Sequence, residues 1–158
     1  MKRMAFIFLL LASMNAYSQN AFVDGIHTAG KIDYQGDGSE SILTNFKVDF
    51  PDESSAIYTY TYHWKEDAVD NTYFFEIKWK WADISSVKID KELYVVELNT
   101  AFRVMESSTY KSTNEKLVDD KALNADIYFK NLDDATAAAG WIVSKIKQCG
   151  GDAMLVDY

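Results

Sequence analysis

The S-x-x-K spacing of a serine nucleophile and its lysine base occurs in the segments Ser85–Lys88 and Ser108–Lys111. In that chemistry the serine stands at the start of a helix and further motifs complete the site, and those motifs are missing here. Serine and lysine are frequent enough in this chain that about one match is expected by chance. We therefore predict that neither segment is catalytic.

Histidine and cysteine, which commonly bind metals or act in catalysis, are scarce in this chain. The only ones are His27, His63 and Cys149, and none belongs to an H-x-x-x-H or C-x-x-C pattern. Cys149 has no histidine nearby in the sequence that would activate it as a nucleophile. The acidic segment 33–40 misses the spacing of a calcium loop, so we interpret it as a hairpin loop. The sequence thus predicts no enzyme, no metal ion and no cofactor.

The N-terminus has the features of a secretory signal peptide. Lys2 and Arg3 give a short positive start, Met4–Met14 is an apolar run, and small residues precede a cleavage site after Ser18. The apolar run of about eleven residues is too short for a spanning helix, which needs ~20, so no stable membrane anchor is expected. We predict that residues 1–18 are removed and that the protein is exported, to the periplasm or outside the cell.

The remaining chain, residues 19–158, has the length of one domain with its own hydrophobic core. The net charge of the whole sequence is −8. Residues 19–158 lack Lys2 and Arg3, so their net charge is more negative than that of the whole sequence. Nucleic acids and anionic membranes select for surplus Lys and Arg, so both are unexpected partners.

Two consecutive segments alternate in the manner of β-strands and are unusually aromatic. Every second residue of each shares a face, which gives the sets Tyr58, Tyr60, Tyr62, Trp64 and Tyr73, Phe75, Ile77, Trp79, Trp81. We predict that the two strands pair with these faces on the same side and Trp64 opposite Tyr73, because a slip of one residue would set aromatic rings beside charged ones. A buried core face is the preferred interpretation. The alternative is a ligand cavity lined by Tyr60, Tyr62, Trp64, Trp79 and Trp81.

One amphipathic helix is predicted at about 132–149, near the C-terminus. Its apolar stripe consists of Ala135, Ala139, Ile142, Ile146 and Cys149, which repeat at intervals of three and four residues. Trp141 lies about 120° away from that stripe. It either packs on the rim of a sheet or binds a partner.

The order of these elements resembles the pleckstrin-homology-like fold. The matching residues are Trp81, Asp83, Ile84, Val87 and Ile89, followed by the segment 126–149. The resemblance implies a mainly β fold, a bent antiparallel sheet or a half-open seven-stranded barrel, with the C-terminal helix closing one end. Members that bind phosphoinositides have basic residues in the loop between their first two strands. The matching loop here, 50–56, has no base, so no phosphoinositide is expected.

We interpret the sequence as a non-catalytic exported module for binding or scaffolding, with a protein partner that the sequence does not identify. The alternative is a carrier that holds a small apolar ligand between the two aromatic strands. An envelope enzyme is a third possibility, which the lack of an acid–base or nucleophile set disfavours.

Overall fold

The computed structural model describes residues 19–27, 29–32, 40–66, 69–112 and 115–157. Within these ranges, residues 19–25 are helical, and ten strands, a short 3-10 helix and one long α-helix follow. The strands are β1 (Ala29–Ile32), β2 (Glu40–Asp52), β3 (Ser55–Glu66), β4 (Val69–Lys80), β5 (Ile84–Asp90), β6 (Val95–Thr100), β7 (Met105–Ser112), β8 (Glu115–Ala122), β9 (Asn124–Tyr128) and β10 (Met154–Asp157). The 3-10 helix is Trp81–Asp83, and the C-terminal helix is Leu132–Gln148. The predicted signal peptide and most of the predicted hairpin loop, residues 33–39, lie outside the described residues.

The strands form a large sheet and a small sheet. The large sheet has the order β1-β2-β3-β4-β7-β8, and the small sheet has the order β10-β5-β6-β9. In the described ranges every strand pairing is antiparallel except that of β10 with β5, which is parallel. The predicted mainly β fold, with antiparallel sheets and one C-terminal helix, is confirmed. In the described ranges the two sheets do not join into a closed barrel.

The hairpin of β3 and β4 pairs the predicted faces, but in a different register. Tyr62 lies opposite Tyr73, and Trp64 lies opposite Asn71 rather than opposite Tyr73. The ladder continues to Glu66 and Val69. The register is therefore offset by two residues, and an even offset leaves each side chain on its predicted face because side chains alternate with period two.

A β-bulge interrupts β2 at Asn45. Thr44 pairs with Thr61 and Lys47 pairs with Thr59, so β2 has one residue more than β3 in this interval. Asn45 has φ 57°, in the left-handed region that asparagine tolerates better than most residues. The bulge bends β2 and redirects the Asn45 side chain.

The C-terminal helix begins and ends with recognisable caps. The Asn131 side chain accepts a hydrogen bond from the Asp134 backbone N–H at 2.9 Å, and Gly150, with φ 85°, follows the last turn. The helix packs on β5, β6, β10 and the 3-10 helix. Its buried residues are Ala135, Ala138, Ala139, Ile142 and Ile146. No helix in the described ranges has the length and apolar character needed to cross a membrane.

Candidate functional site

The face of the large sheet that points away from the core contains a groove with an estimated volume of ≈ 540 Å³. We call it the outer groove. It is lined by Asn45, Thr59, Tyr60, Thr61, Phe74, Phe75, Glu76 and Tyr110. Thr61 pairs with Phe74, and Phe74 pairs with Tyr110. Because cross-strand partners point to the same side, these three side chains share the face opposite to that of buried Tyr58 and Trp79.

The floor of the outer groove is polar and contains one hydrogen bond between side chains. Thr61 is only 4% exposed although it lies on the outer face. Its Oγ1 accepts a hydrogen bond from Asn45 Nδ2 at 3.2 Å. The bulge in β2 is what brings Asn45 to this position. The groove thus offers a hydroxyl and a side-chain amide, both of which can donate and accept hydrogen bonds.

An aromatic wall and a cation flank this floor. Phe74 and Tyr110 are neighbours on adjacent strands, and the Lys116 ammonium lies 5.9 Å from the centroid of the Tyr110 ring. That distance is within the range of a cation–π contact. Lys116 also forms an ion pair with Asp119 at 3.0 Å, and the Asp119 carboxylate accepts a hydrogen bond from Ser108 Oγ at 3.1 Å. The hydrogen bonds from Lys116 and from Ser108 hold the pKa of the Asp119 carboxyl group below its usual value.

Glu76 joins the outer groove to a second, charged depression on the same face. Both are lined by Glu76, and the second depression, of ≈ 490 Å³, also contains Ser108, Lys116 and Asp119. One end of the outer face is therefore aromatic, and the other end contains paired charges. An aromatic wall suits a flat or apolar group, and a carboxylate suits a hydrogen-bond donor or a cation. In the described part of the chain, no group of three or more His, Cys, Asp or Glu is arranged to bind a metal ion.

The predicted ligand-lining residues are divided between the core and the two faces. Trp79 and Trp81 are 2% and 0% exposed, and Trp81 belongs to the 3-10 helix rather than to a strand. Tyr62 and Trp64 are half-buried on the inner face. Tyr60 is the one predicted residue that borders the outer groove. A cavity between the aromatic faces stays a prediction, whereas the outer groove lies on the opposite side of the same strands.

Trp141, the predicted partner-binding residue, belongs to an aromatic cluster. Its ring centroid lies 5.0 Å from that of Phe22, 5.7 Å from that of Phe50 and 5.7 Å from that of Trp81. The side chain is half-buried. Phe22 comes from the helical residues 19–25, which the sequence did not predict. Three packed neighbours favour the structural interpretation of Trp141, and its role toward a partner stays a prediction.

The outer groove itself was not predicted from the sequence. One signal was present: Phe74 occupies the same face of β4 as Glu76, Lys78 and Lys80, and an aromatic residue among outward-facing charges is unusual. The sequence did not predict that Tyr110 lines the groove. β7 is the neighbour of β4 in the large sheet, but β5 and β6, which belong to the small sheet, lie between them in the sequence. The bulge at Asn45 has no recognisable pattern in the sequence.

Tyr60 should make stability depend on alkaline pH. Burial, Tyr128 and Asp126 raise the pKa of Tyr60 to about 12, compared with about 10 in an unfolded chain. The raised value means that folding is favoured while the hydroxyl is protonated, and that this contribution is lost as the pH rises from about 10 to about 12. A shift of this size corresponds to roughly 2–3 kcal/mol of the free energy of unfolding.

Urea denaturation at several alkaline pH values would measure this effect. We expect Tyr60→Phe to lose less stability than the wild type over that interval. Tyr94→Phe is the matched control, because Tyr94 is 39% exposed. Identical pH dependence in the wild type and Tyr60→Phe would contradict the assignment.

Comparison of the chain with protein-family models, with curated proteins and with solved structures gave no match.

Proposed function

We propose that the protein is an exported, non-catalytic binding module whose ligand occupies the outer groove. The observation that carries this proposal is the groove itself: an aromatic wall and a hydrogen-bonding floor on the open face of the large sheet. Its volume of ≈ 540 Å³ lies within the range of small-molecule sites, about 300–1,000 Å³. The predicted signal peptide supports an exported location, in the periplasm or outside the cell.

The ligand combines a flat or apolar part with hydrogen-bond donors. Phe74 and Tyr110 provide the surface against which the apolar part packs. The Glu76 carboxylate, beside them, accepts hydrogen bonds or pairs with a cation. The net charge of −8 also favours neutral or cationic ligands at this groove. A carrier that holds a small apolar ligand between the two aromatic strands stays a separate prediction.

The resemblance to the pleckstrin-homology-like fold is part of this proposal. Two mainly antiparallel sheets and a C-terminal helix that packs on the small one support it. In that view the chain uses the fold as a scaffold, and the binding site is built from its own residues.

The test begins with tagged protein recovered from the envelope fraction of the producing cell. Intact mass should show a chain that begins near Gln19, and native mass spectrometry should show a co-purified small molecule. We expect the bound molecule to be absent from Phe74→Ser and from Asn45→Gly, which keeps the left-handed backbone but removes the amide.

Phe102→Ser provides the matched control for the binding test. Phe102 is 76% exposed and does not line the outer groove, so this variant should retain the ligand. Recovery of the ligand at wild-type levels with Phe74→Ser and Asn45→Gly would refute the groove as its site. A wild-type protein without any bound compound would refute the binding proposal, and a full-length mass would refute the location.

A further inference from the structure

A separate cavity of ≈ 390 Å³ lies at the end of the large sheet where β3 begins and β4 ends. We call it the rim cavity. Ser55 and Trp79 line it, together with the basic residues Lys78, Lys80 and Arg103. Ser55 and Lys80 are cross-strand partners, and Arg103 comes from the loop between β6 and β7. The rim cavity thus gathers basic residues from two distant parts of the chain.

The basic residues of the rim cavity are not neutralised by the chain itself. In the described ranges, Lys78, Lys80 and Arg103 form no ion pair. A fourth base that lines the cavity, Lys121, pairs with Glu106 at 3.6 Å. Three positive charges without partners are notable in a protein whose net charge is −8.

The acidic residues of the rim cavity compensate these charges only in part. Asp52 accepts hydrogen bonds from the backbone N–H and the hydroxyl of Ser54, both at 2.7 Å, and they lower the pKa of its carboxyl group, which therefore stays negatively charged. Glu106 is paired with Lys121, as described. Asp83 is the third carboxylate on the cavity lining. The four basic and three acidic residues of the lining leave a net surplus of one positive charge.

One buried polar group on the cavity lining lacks a hydrogen-bond partner in the described ranges. Ser55 is 4% exposed and its Oγ has no partner. Ser55 lies opposite Lys80, so the two side chains point to the same side of the sheet. The Ser55 hydroxyl is close enough to Asp52 to help lower the pKa of that carboxyl group, but it makes no hydrogen bond of ordinary geometry. A hydroxyl can donate a hydrogen bond, so an acceptor in the cavity would satisfy it.

We propose that the rim cavity binds a small oxyanion, phosphate or sulfate, either free or as a monoester on a small soluble molecule. A tetrahedral oxyanion has acceptor atoms in several directions, so it can accept hydrogen bonds from the buried Ser55 hydroxyl and from surrounding cations at once. The Arg103 guanidinium matches two oxyanion atoms with two parallel N–H groups. The site shares no lining residue with the outer groove, and the proposal does not depend on the ligand of that groove.

Isothermal titration calorimetry at low ionic strength tests the proposal with inorganic phosphate, inorganic sulfate and glycerol phosphate. We expect at least one of these anions to bind, and comparison of phosphate with glycerol phosphate distinguishes a free anion from an ester. Arg103→Gln and Lys80→Gln should each weaken binding by about tenfold, the loss typical of one charge-assisted hydrogen bond. Ser55→Ala removes the buried hydroxyl, so it should also weaken binding.

Lys147→Gln is the control, because Lys147 is an exposed lysine near the end of the C-terminal helix. It should bind as the wild type does. The proposal is overturned if none of the three anions binds, or if Arg103→Gln and Lys80→Gln bind as tightly as Lys147→Gln. Arg103 and Lys80 are exposed, so their variants should remain folded and decide the result even if Ser55→Ala does not fold.

Discussion

We expect Trp79→Lys to unfold the protein. Trp79 is 2% exposed, and its ring meets that of Trp81 edge to face with centroids 5.6 Å apart. A lysine at this position would place an unpaired charge in the core, or would have to displace the packed rings around it. Loss of the burial and desolvation of the charge together are comparable to the net stability of a typical domain, about 5–15 kcal/mol. Circular dichroism and urea denaturation would measure the loss of structure.

The neighbouring lysines provide the controls on the same strand. Lys78 and Lys80 are exposed on the opposite face, and neither forms an ion pair in the described ranges. We expect Lys78→Ala and Lys80→Ala to change the free energy of unfolding by less than about 0.5 kcal/mol. If either substitution were as damaging as Trp79→Lys, the assignment of the two faces of β4 would be reversed.

The second large effect concerns the C-terminal helix. Ile142 and Ile146 are both 0% exposed, and truncation of either to alanine should lower the free energy of unfolding by about 2–5 kcal/mol. Trp141→Ala should lower it by about 3–5 kcal/mol, because three aromatic neighbours would lose a packing surface. Urea denaturation followed by circular dichroism would give all three values.

Lys147→Ala, at an exposed position of the same helix, should have almost no effect. The result for Trp141 also bears on its predicted role. A Trp141→Ala protein with wild-type stability would show that the aromatic cluster does not depend on this ring, and the interpretation as a binding residue would then gain support. A large loss of stability would make Trp141 a packing residue.

The alternation of side chains predicted much of the sheet correctly. The division of β3 and β4 into an aromatic face and a mixed face follows from period two alone, and the structure keeps it. The predicted register of β3 and β4 was wrong because it was chosen to place an aromatic residue opposite Trp64. The extra pairs that continue the ladder to Glu66 and Val69 determine it instead.

The candidate sites depended on contacts that local patterns do not encode. The outer groove needs the bulge at Asn45 and the arrival of Tyr110 from a strand far along the chain. The rim cavity needs Arg103 beside Lys78 and Lys80. The matching loop 50–56 contains no base, but the folded chain brings bases to it from β4 and from the loop after β6. The charges within the sequence of this loop therefore did not predict the charges that surround the loop in the folded protein.

The order in which the strands enter the two sheets has a consequence for how the molecule can fold. The chain completes β1 to β4 of the large sheet, forms β5 and β6 of the small sheet, returns for β7 and β8, and then supplies β9 and β10. No single cut of the backbone separates one sheet from the other. Pairing of β10 with β5 must wait for almost the whole chain, since Met154 lies opposite Ser86. Contacts between such distant segments slow folding, and they make the two sheets parts of one cooperative unit.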